Sequence, residues 1–339
     1  MSVAQPQQPF RPVASRPAVS EPVRVLPRRS SQGSRIADLG FQALVWLCSA
    51  CVLAVVGFIL LQLIKGSRLS LHQLGWRFFT GSDWDPVSGN LGAVPFIYGT
   101  LISSLLALII AVPLSLGVAV FITEMCPRSL RGILSYLTEL LAAIPSVIYG
   151  LWAIFVLIPI IRKYIGPALE KTFGWTGLFT GPIFGVGMLT AGLILAIMIV
   201  PIISSITREI LVSVPQPQRE AALALGATRW EMIRIGVLRN ARAGIFGAII
   251  LGLGRALGET MAVTMVIGNR PEIAKSLFAP AYTMASVIAN EFSEATDDLY
   301  LSALIEIGLA LFLVTIIVNI FAQLLVWTVT RGTPRRASA

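Results

Sequence analysis

Charged residues are scarce in this chain, and that shortage excludes most soluble proteins. Only 13% of the 339 residues are Asp, Glu, Lys or Arg, whereas 55% are hydrophobic. Soluble globular domains average roughly 25% charged residues. A disordered chain is excluded as well, because so much apolar surface favours burial. The composition predicts an all-α, polytopic membrane protein, since about six helices long enough to cross a bilayer account for the length.

Residues for metal binding, redox chemistry and catalysis are also few. One histidine among 339 residues excludes a histidine-rich metal site. Cys48 and Cys51 have C-x-x-C spacing, but they have no second pair and lie in an apolar run, so apolar packing on a helix is favoured. The glycine-rich segment 252–260 has Glu259 where a phosphate-binding loop needs lysine. Its Gly254 and Gly258 are better interpreted as a small-residue face that another helix approaches. We predict neither a metal site nor catalytic residues.

Stretches without charged residues mark six predicted membrane crossings. Five stretches, the shortest of 22 residues, exceed the roughly 20 residues that a helix needs to cross the hydrocarbon core. A sixth, residues 243–268, is apolar except for Arg255 and Glu259. The predicted transmembrane domain covers residues 38–332. Its spans lie near 39–64, 96–123, 133–160, 184–207, 243–268 and 304–329.

The lysines and arginines predict the orientation of the chain. With the N-terminus inside, 17 of the 26 lie on the cytoplasmic side and eight on the other. This asymmetry places both termini in the cytoplasm of a multi-pass protein of the inner or plasma membrane. Residues 1–37, rich in Pro, Ser and Arg, predict a disordered cytoplasmic tail. The basic residues are scattered over loops, which argues against nucleic acid as a partner.

Arg255 is the most unusual residue of the predicted spans. A guanidinium at a helix centre costs roughly 2.5–3.5 kcal/mol on insertion scales, so it needs a compensating role. Its planar fork of donors matches the oxygens of a phosphate-like anion, and Glu259 lies one helical turn away. We interpret the two as part of a substrate pathway; the alternative is an ion pair that only orders the bundle. Glu139 and Glu306 lie within a turn or two of predicted span ends, where reaching the interface or pairing with a local partner suffices, and both are interpreted as structural residues.

The largest predicted cytoplasmic loop, residues 208–242, contains two short helices. Pro215 ends the preceding helix, and the first short helix ends at Gly226. Thr228, with Glu231 three residues later, is a capping-box pattern that opens the second. Four apolar side chains are expected in water, where they fit either a groove in a partner or the chain's own bundle. They are Ala221, Ala222, Leu225 and Trp230.

The same loop resembles the docking loop of ABC-importer permeases. Glu220-Ala221-Ala222, followed by Gly226, is similar to the EAA motif with which these permeases dock on the ATPase subunit. At its end the motif departs from the family pattern, because residues 236–239 keep the leucine but not the isoleucine and proline. Further segments resemble the PstC-type transmembrane subunit of phosphate-specific importers. They are Trp84–Asn90, Phe96–Thr100, Ile144–Gly150 and Gly252–Val263.

The resemblance implies a six-span permease that forms half of a pathway for inorganic phosphate. It implies a second homologous permease subunit, two ATP-binding subunits that hold ATP and magnesium, and an extracytoplasmic phosphate-binding protein. No cofactor is expected on this chain. Glu220 would anchor the docking loop, and the residues that meet the ATPase would be Ala221, Ala222, Gly226 and Trp230. Three alternatives stay open: a permease for sulfate or molybdate, a secondary carrier or channel that works alone, and a non-transporting sensor or scaffold.

Overall fold

The computed structural model describes residues 32–330, with side chains over residues 38–328. Most of the predicted disordered tail, residues 1–31, lies outside the described residues. The chain separates into two compact units, residues 1–57 and 58–339. A long helix, α1 (Gln32–Gly66), crosses that boundary and begins earlier than the predicted residue 39. The contacts described below all lie in the second unit.

Helices make up nearly all of the regular structure in the described residues, which confirms the all-α prediction. A two-stranded antiparallel sheet pairs β1 (Trp84–Asp85) with β2 (Asn90–Leu91). The α-helices after α1 are α2 (Arg68–Gln73), α3 (Arg77–Thr80), α4 (Val94–Val120), α5 (Arg128–Ala143), α6 (Ser146–Trp152), α7 (Ile158–Ile160), α8 (Gly166–Phe173), α9 (Met188–Ser213), α10 (Gln216–Ala224), α11 (Arg229–Glu231), α12 (Arg239–Leu257), α13 (Met261–Val266), α14 (Met284–Glu291) and α15 (Asp298–Thr330). Wider π-helical turns lie at Phe121–Met125, Ala153–Leu157, Ile161–Ile165 and Met232–Leu238, and a 3₁₀ turn lies at Gly174–Thr176.

Six helical stretches of the described residues are long and apolar enough to cross a membrane, which confirms the predicted number. Four of them overlap their predicted positions closely, whereas spans 3 and 5 are displaced. The stretches are span 1 (Asp38–Gly66), span 2 (Val94–Met125), span 3 (Ser146–Thr176), span 4 (Met188–Ser213), span 5 (Arg229–Leu257) and span 6 (Asp298–Thr328).

Span 3 begins at Ser146 because a proline separates it from the preceding helix. Ile144 and Pro145 are extended, with ψ angles of 129° and 139°. Proline disfavours the helical region for the residue before it, so the chain turns there. The predicted span starting at 133 therefore merged two helices. The first, α5, is amphipathic and has no buried residue within this chain.

Span 5 begins at Arg229, well before the predicted residue 243. The capping box is present: Thr228 Oγ1 accepts from the Glu231 N–H at 3.4 Å, and Glu231 Oε2 accepts from the Thr228 N–H at 2.8 Å. The helix that starts there is not short, because it continues through a π-helical turn into α12. It ends at Leu257 rather than near residue 268. The loop predicted over residues 208–242 is therefore shorter in the structure. It is the segment between the end of span 4 at Ser213 and the start of span 5 at Arg229, and it contains α10.

Span 4 lies at the centre of the helix packing in the second unit. In the most apolar 18-residue stretch of span 4, 67% of the residues are buried within the chain. The corresponding share is 33% or less in spans 2, 3, 5 and 6. Glycines permit close approach on two sides. A Cβ on Gly192 would lie 2.5 Å from Leu106 Cδ2 of span 2, and one on Gly252 of span 5 would lie 2.6 Å from Ile203 Cδ1 of span 4. Spans 2 and 5 therefore flank span 4.

A polar cluster around Glu291 of α14 lies near the N-terminal end of span 2. This is the end away from α10. The Trp84 indole N–H and the Tyr300 hydroxyl donate to Glu291 Oε2 at 2.9 and 2.6 Å. Trp84 also packs edge-on against Phe96, with ring centroids 4.8 Å apart. Burial raises the pKa of the neighbouring Tyr282, so its hydroxyl stays neutral. The cluster ties the β1–β2 hairpin to α14 and to the start of span 6.

Candidate functional site

The predicted pathway residues lie where the helix of span 5 is interrupted. Span 5 ends at Leu257, and the short helix α13 begins at Met261. The Glu259 carboxylate lies at the start of α13, where its Oε1 accepts from the Ala262 N–H at 3.4 Å. A carboxylate at this position satisfies one of the amide groups that a helix N-terminus leaves without an intrahelical acceptor. The interruption therefore places a carboxylate at a fixed point beside the end of span 5.

Arg255 and Glu259 come together in the structure, but loosely. Arg255 Nη2 lies 3.8 Å from Glu259 Oε2, which is beyond hydrogen-bond distance. The Glu259 side chain is 7% exposed and the Arg255 side chain 44% exposed. The carboxylate is thus held inside the chain while the guanidinium reaches out from it. An ion pair of this length leaves guanidinium donors for a further anion.

The surface of span 5 beside Arg255 is open and lined by glycines. A Cβ on Gly247 or Gly254 would meet no atom of the described chain within 4 Å. At Gly258 a Cβ would meet only the carbonyl oxygen of Gly254, at 3.7 Å. The small-residue face predicted at Gly254 and Gly258 is therefore not used by another helix of the described residues. It offers a narrow, accessible surface next to the partly exposed arginine.

The predicted docking residues lie on α10, on the turn after it and, for Trp230, in the first turn of span 5. Glu220 and Ala221 are exposed. Ala222 is only half-buried rather than standing in water as expected, because it faces the first part of span 5. Its Cβ lies 3.7 Å from the position that a Cβ on Gly236 would take. Small side chains at these two positions let α10 pack directly on span 5.

Gly226 has a backbone reason to be glycine. Its φ is +84°, in the left-handed region that other residues rarely adopt. The Ala227 N–H donates to the Ala222 carbonyl at 3.2 Å, and the Gly226 N–H donates to the Leu223 carbonyl at 2.9 Å. This pair of hydrogen bonds is the usual way in which a left-handed residue closes a helix C-terminus. A Cβ on Gly226 would meet no atom of the described chain within 4 Å. Packing within this chain therefore does not require glycine there, and close approach of a partner subunit stays a prediction.

Large apolar side chains project from the segment around this turn. Leu225 is 89% exposed and Trp230 is 61% exposed. Packing on the chain's own bundle does not account for these two residues, although it does account in part for Ala222. Exposed apolar residues grouped at a polar end of a protein are typical of a contact surface. We call Glu220, Ala221, Leu225 and Trp230 the docking face.

A polar contact behind the docking face was not predicted from the sequence. Arg219, which precedes Glu220, pairs with Glu124 at the end of span 2, with Arg219 Nη2 3.1 Å from Glu124 Oε1. The two side chains are 14% and 10% exposed. They lie 95 positions apart in the sequence. No local pattern links residues at such a separation, so only the fold reveals the pair.

Glu306 differs from its expected place near the membrane interface. It is fully buried within the second unit, and neither of its carboxylate oxygens has a hydrogen-bond partner among the described residues. The side chain therefore does not reach the interface, and the structural role of Glu306 stays a prediction. Glu139 does lie at a surface: its side chain is 54% exposed and accepts from Arg208 Nη2 of span 4 at 2.6 Å.

Comparison with known protein sequences covers most of the chain. The sequence profile of the family described as binding-protein-dependent transport system inner membrane component matches residues 111–331. The phosphate transport system permease protein PstC of Mesorhizobium japonicum is 46% identical over 85% of this chain and 89% of its own length. The protein of the same name from Pasteurella multocida is 44% identical over 89% of this chain and 95% of its own.

Comparison with solved structures supports the fold. A chain of a bacterial ABC transporter involved in the import of the acidic polysaccharide alginate is similar, with a TM-score of 0.55. The match covers 84% of this chain and 96% of that chain, at 18% identity. At that identity the similarity concerns the arrangement of the helices alone.

Proposed function

The chain belongs to the family of binding-protein-dependent transport system inner membrane components, and from that premise we propose that it is the permease subunit of an ATP-driven phosphate importer. It is a multi-pass membrane protein, whose residues 32–330 include six helices long and apolar enough to cross a membrane. The observation that carries the proposal is the 46% identity, over 85% of the chain, with a permease named for phosphate transport. Because the match spans 89% of that relative, it concerns the whole subunit rather than one shared segment.

Arg255 and Glu259 are the proposed substrate-contacting residues. A phosphate ion that enters beside span 5 meets a guanidinium that is 44% exposed and only loosely paired. Arginine offers two parallel donors to the oxygens of such an anion. Transit also requires release, since a site that binds too tightly stops conduction. Glu259, held at the start of α13, is placed to pair with Arg255 again as the anion leaves.

The docking face is the proposed contact with an ATP-hydrolysing subunit. The chain has no phosphate-binding loop of its own, so ATP and magnesium would be held by two partner subunits. Closure of those subunits around ATP would move α10 as a rigid body, and the spans packed on it would follow. Exposed Leu225 and Trp230 supply apolar area for a groove, and Glu220 supplies a charge at its edge.

The remaining assembly follows from the orientation of the chain. The excess of lysine and arginine on the side of the termini and of α10 supports a cytoplasmic location for both. The outer end would then carry the cluster around Glu291 and would receive phosphate from an extracytoplasmic binding protein. A second homologous permease subunit would complete the pathway, and the open glycine face of span 5 is the surface that we assign to it.

Reconstitution tests the function. The chain is co-expressed with its partner subunits, the complex is purified and its subunits are identified by mass. ATP-dependent uptake of labelled phosphate into vesicles is then measured against unlabelled phosphate, sulfate and molybdate. We expect competition by phosphate alone. Stronger competition by sulfate or molybdate would favour the oxyanion alternative, and uptake by this chain alone without ATP would favour a secondary carrier. Unchanged cellular uptake after deletion of the gene, with signalling lost, would favour a sensor.

Substitution of Arg255 tests the proposed pathway. Arg255→Gln keeps a polar side chain but removes the charge, and we expect loss of phosphate uptake with normal complex assembly. Arg270→Gln is the matched control, because Arg270 pairs with Glu272 at 3.4 Å on an exposed loop where such pairs contribute little. Normal uptake in Arg255→Gln would remove this residue from the mechanism while leaving the family assignment intact.

A further inference from the structure

The side of α10 that faces away from the docking face is tied to two spans by one side chain. The Arg219 guanidinium donates from Nη2 to the Leu211 carbonyl at 2.7 Å and from Nη1 to the Val214 carbonyl. Its Nε and Nη2 also donate to Glu124 Oε1, at 3.3 and 3.1 Å. Leu211 belongs to the last turn of span 4, Val214 follows its end, and Glu124 lies in the last turn of span 2. One guanidinium therefore joins α10 to the ends of both spans.

The physical chemistry of this contact makes it stiff. Helix C-termini leave carbonyl groups without intrahelical donors, and a cation there is stabilised by the aligned peptide dipoles. Arg219 donates to two carbonyls at this helix end, of which the Leu211 carbonyl also accepts from the Val214 N–H at 3.3 Å, and its charge is balanced by Glu124. Because both side chains are at least 86% buried, water does not readily replace either partner. Breaking such a pair leaves an uncompensated buried charge, so α10 and the two span ends are held at fixed distances.

The contacts of α10 with span 5 are of a different kind. There Ala222 packs on Gly236 through small apolar surfaces. Contacts of this type permit sliding, whereas a planar guanidinium that holds three acceptors has directional bonds. Arg219 also has too little exposed surface to belong to the docking face, since its side chain is 14% exposed.

We propose that Arg219, held by Glu124, is the positioning residue that transmits movement of α10 to spans 2 and 4. The inference rests on the proposed function, because it assumes that a partner subunit moves α10. Under this proposal span 5 follows α10 through direct packing, and spans 2 and 4 follow it through the hydrogen bonds of Arg219. The pair is then required for coupling ATP hydrolysis to transport, not for binding either ATP or phosphate.

The test uses the complete complex reconstituted in vesicles. Glu124→Gln removes the charge that balances Arg219 but keeps a hydrogen-bond acceptor, and Arg219→Lys keeps the charge but loses the planar fork. Glu139→Gln is the matched control, because it removes the neighbouring pair with Arg208 that does not involve α10. Three quantities are measured for each variant: assembled complex, ATP hydrolysed and phosphate taken up.

The expected result is a change in the ratio of phosphate taken up to ATP hydrolysed. In Glu124→Gln and Arg219→Lys we expect normal assembly and continued hydrolysis, with a loss in the ratio of phosphate taken up to ATP hydrolysed, because ATP is then hydrolysed without moving spans 2 and 4. The ratio in Glu139→Gln should match that of the parent. A purely structural role would lower assembly or total activity but would leave the ratio per assembled complex unchanged.

Two outcomes overturn the inference. One is a parental ratio in both variants, and the other is failure of both complexes to assemble, which would assign the pair to folding. Failure of the proposed function is recognised separately, since the parent complex would then show no ATP-dependent phosphate uptake. If the parent complex takes up phosphate with ATP and both variants keep its ratio of phosphate taken up to ATP hydrolysed, only the role of Arg219 is contradicted.

Discussion

Replacing Gly99 by alanine is expected to weaken the packing between span 2 and the segment before α14. A Cβ on Gly99 would lie 2.0 Å from the carbonyl oxygen of Tyr282 and 2.9 Å from its carbonyl carbon. Both are backbone atoms, so no flexible side chain moves aside. The next residue, Thr100, is buried, and its Oγ1 accepts from the Met284 N–H at 2.9 Å. Any shift that accommodates the new methyl group therefore strains this hydrogen bond as well.

Three effects set the size of the change in stability. One is stabilising and two are destabilising. In a helix interior, alanine is more stable than glycine by roughly 0.5–1 kcal/mol. Overpacking a close contact costs typically about 1–3 kcal/mol, and a 2.0 Å approach to backbone belongs at the upper end. Loss of the buried hydrogen bond to Thr100 adds about 1–3 kcal/mol. The net expectation for Gly99→Ala is a loss of about 3–5 kcal/mol in the free energy of unfolding.

The measurement is thermal unfolding of the purified full-length chain in detergent, followed by circular dichroism. Gly117→Ala is the matched control on the same helix, because a Cβ there meets no atom within 4 Å. Since 1 kcal/mol shifts Tm by about 2–4 °C in domains of 150–250 residues, Gly99→Ala should unfold several degrees below the parent, and Gly117→Ala at or slightly above it. Equal stability of Gly99→Ala and the parent would refute the close contact. If Gly117→Ala can be purified but Gly99→Ala does not accumulate in the cell, that result would agree with the close contact at Gly99.

Two further substitutions test the turn after α10 and the buried acid of span 6. Gly226→Ala places a Cβ on a residue with φ of +84° and should cost about 1–2 kcal/mol, seen as a lower Tm of the full-length chain; a Tm equal to that of the parent would show that the left-handed conformation is not required. Glu306→Gln keeps the shape of the side chain and removes a buried carboxylate whose oxygens have no hydrogen-bond partner among the described residues, so the Tm should be unchanged or higher; the gain is limited because the amide also needs partners. A fall in Tm for Glu306→Gln would show that the carboxylate has a stabilising partner.

Local patterns sufficed for the number of spans, for the end of α10 and for the start of the helix that follows it. Apolar stretches long enough to cross a bilayer leave the backbone little choice but helix, because unpaired peptide groups are costly in hydrocarbon. The capping box at Thr228 and Glu231 and the helix end at Gly226 depend on residues three or four positions apart. Such features were predictable because the interactions that create them are as local as the patterns.

The boundaries of spans 3 and 5 were less predictable for a related reason. Hydropathy averages over a window and does not register where a helix turns, so the break at Pro145 was absorbed into one predicted span. In span 5 the helix extends through charged residues from Arg229 onward, because a capped helix continues as long as its backbone hydrogen bonds do. Charge alone therefore placed the start of that span too late.

Sequence by itself determined the class of the protein and the number of its spans, and it singled out the EAA-like motif and the two charged residues at the end of span 5. Only the tertiary structure decided that Arg219 contacts Glu124, that Ala222 faces Gly236, and that Glu306 is buried with no hydrogen-bond partner for its oxygens among the described residues. Helix formation and capping are governed by neighbours within one turn. Contacts between helices depend on the rotation and depth at which each helix packs, and these are set by the whole bundle together.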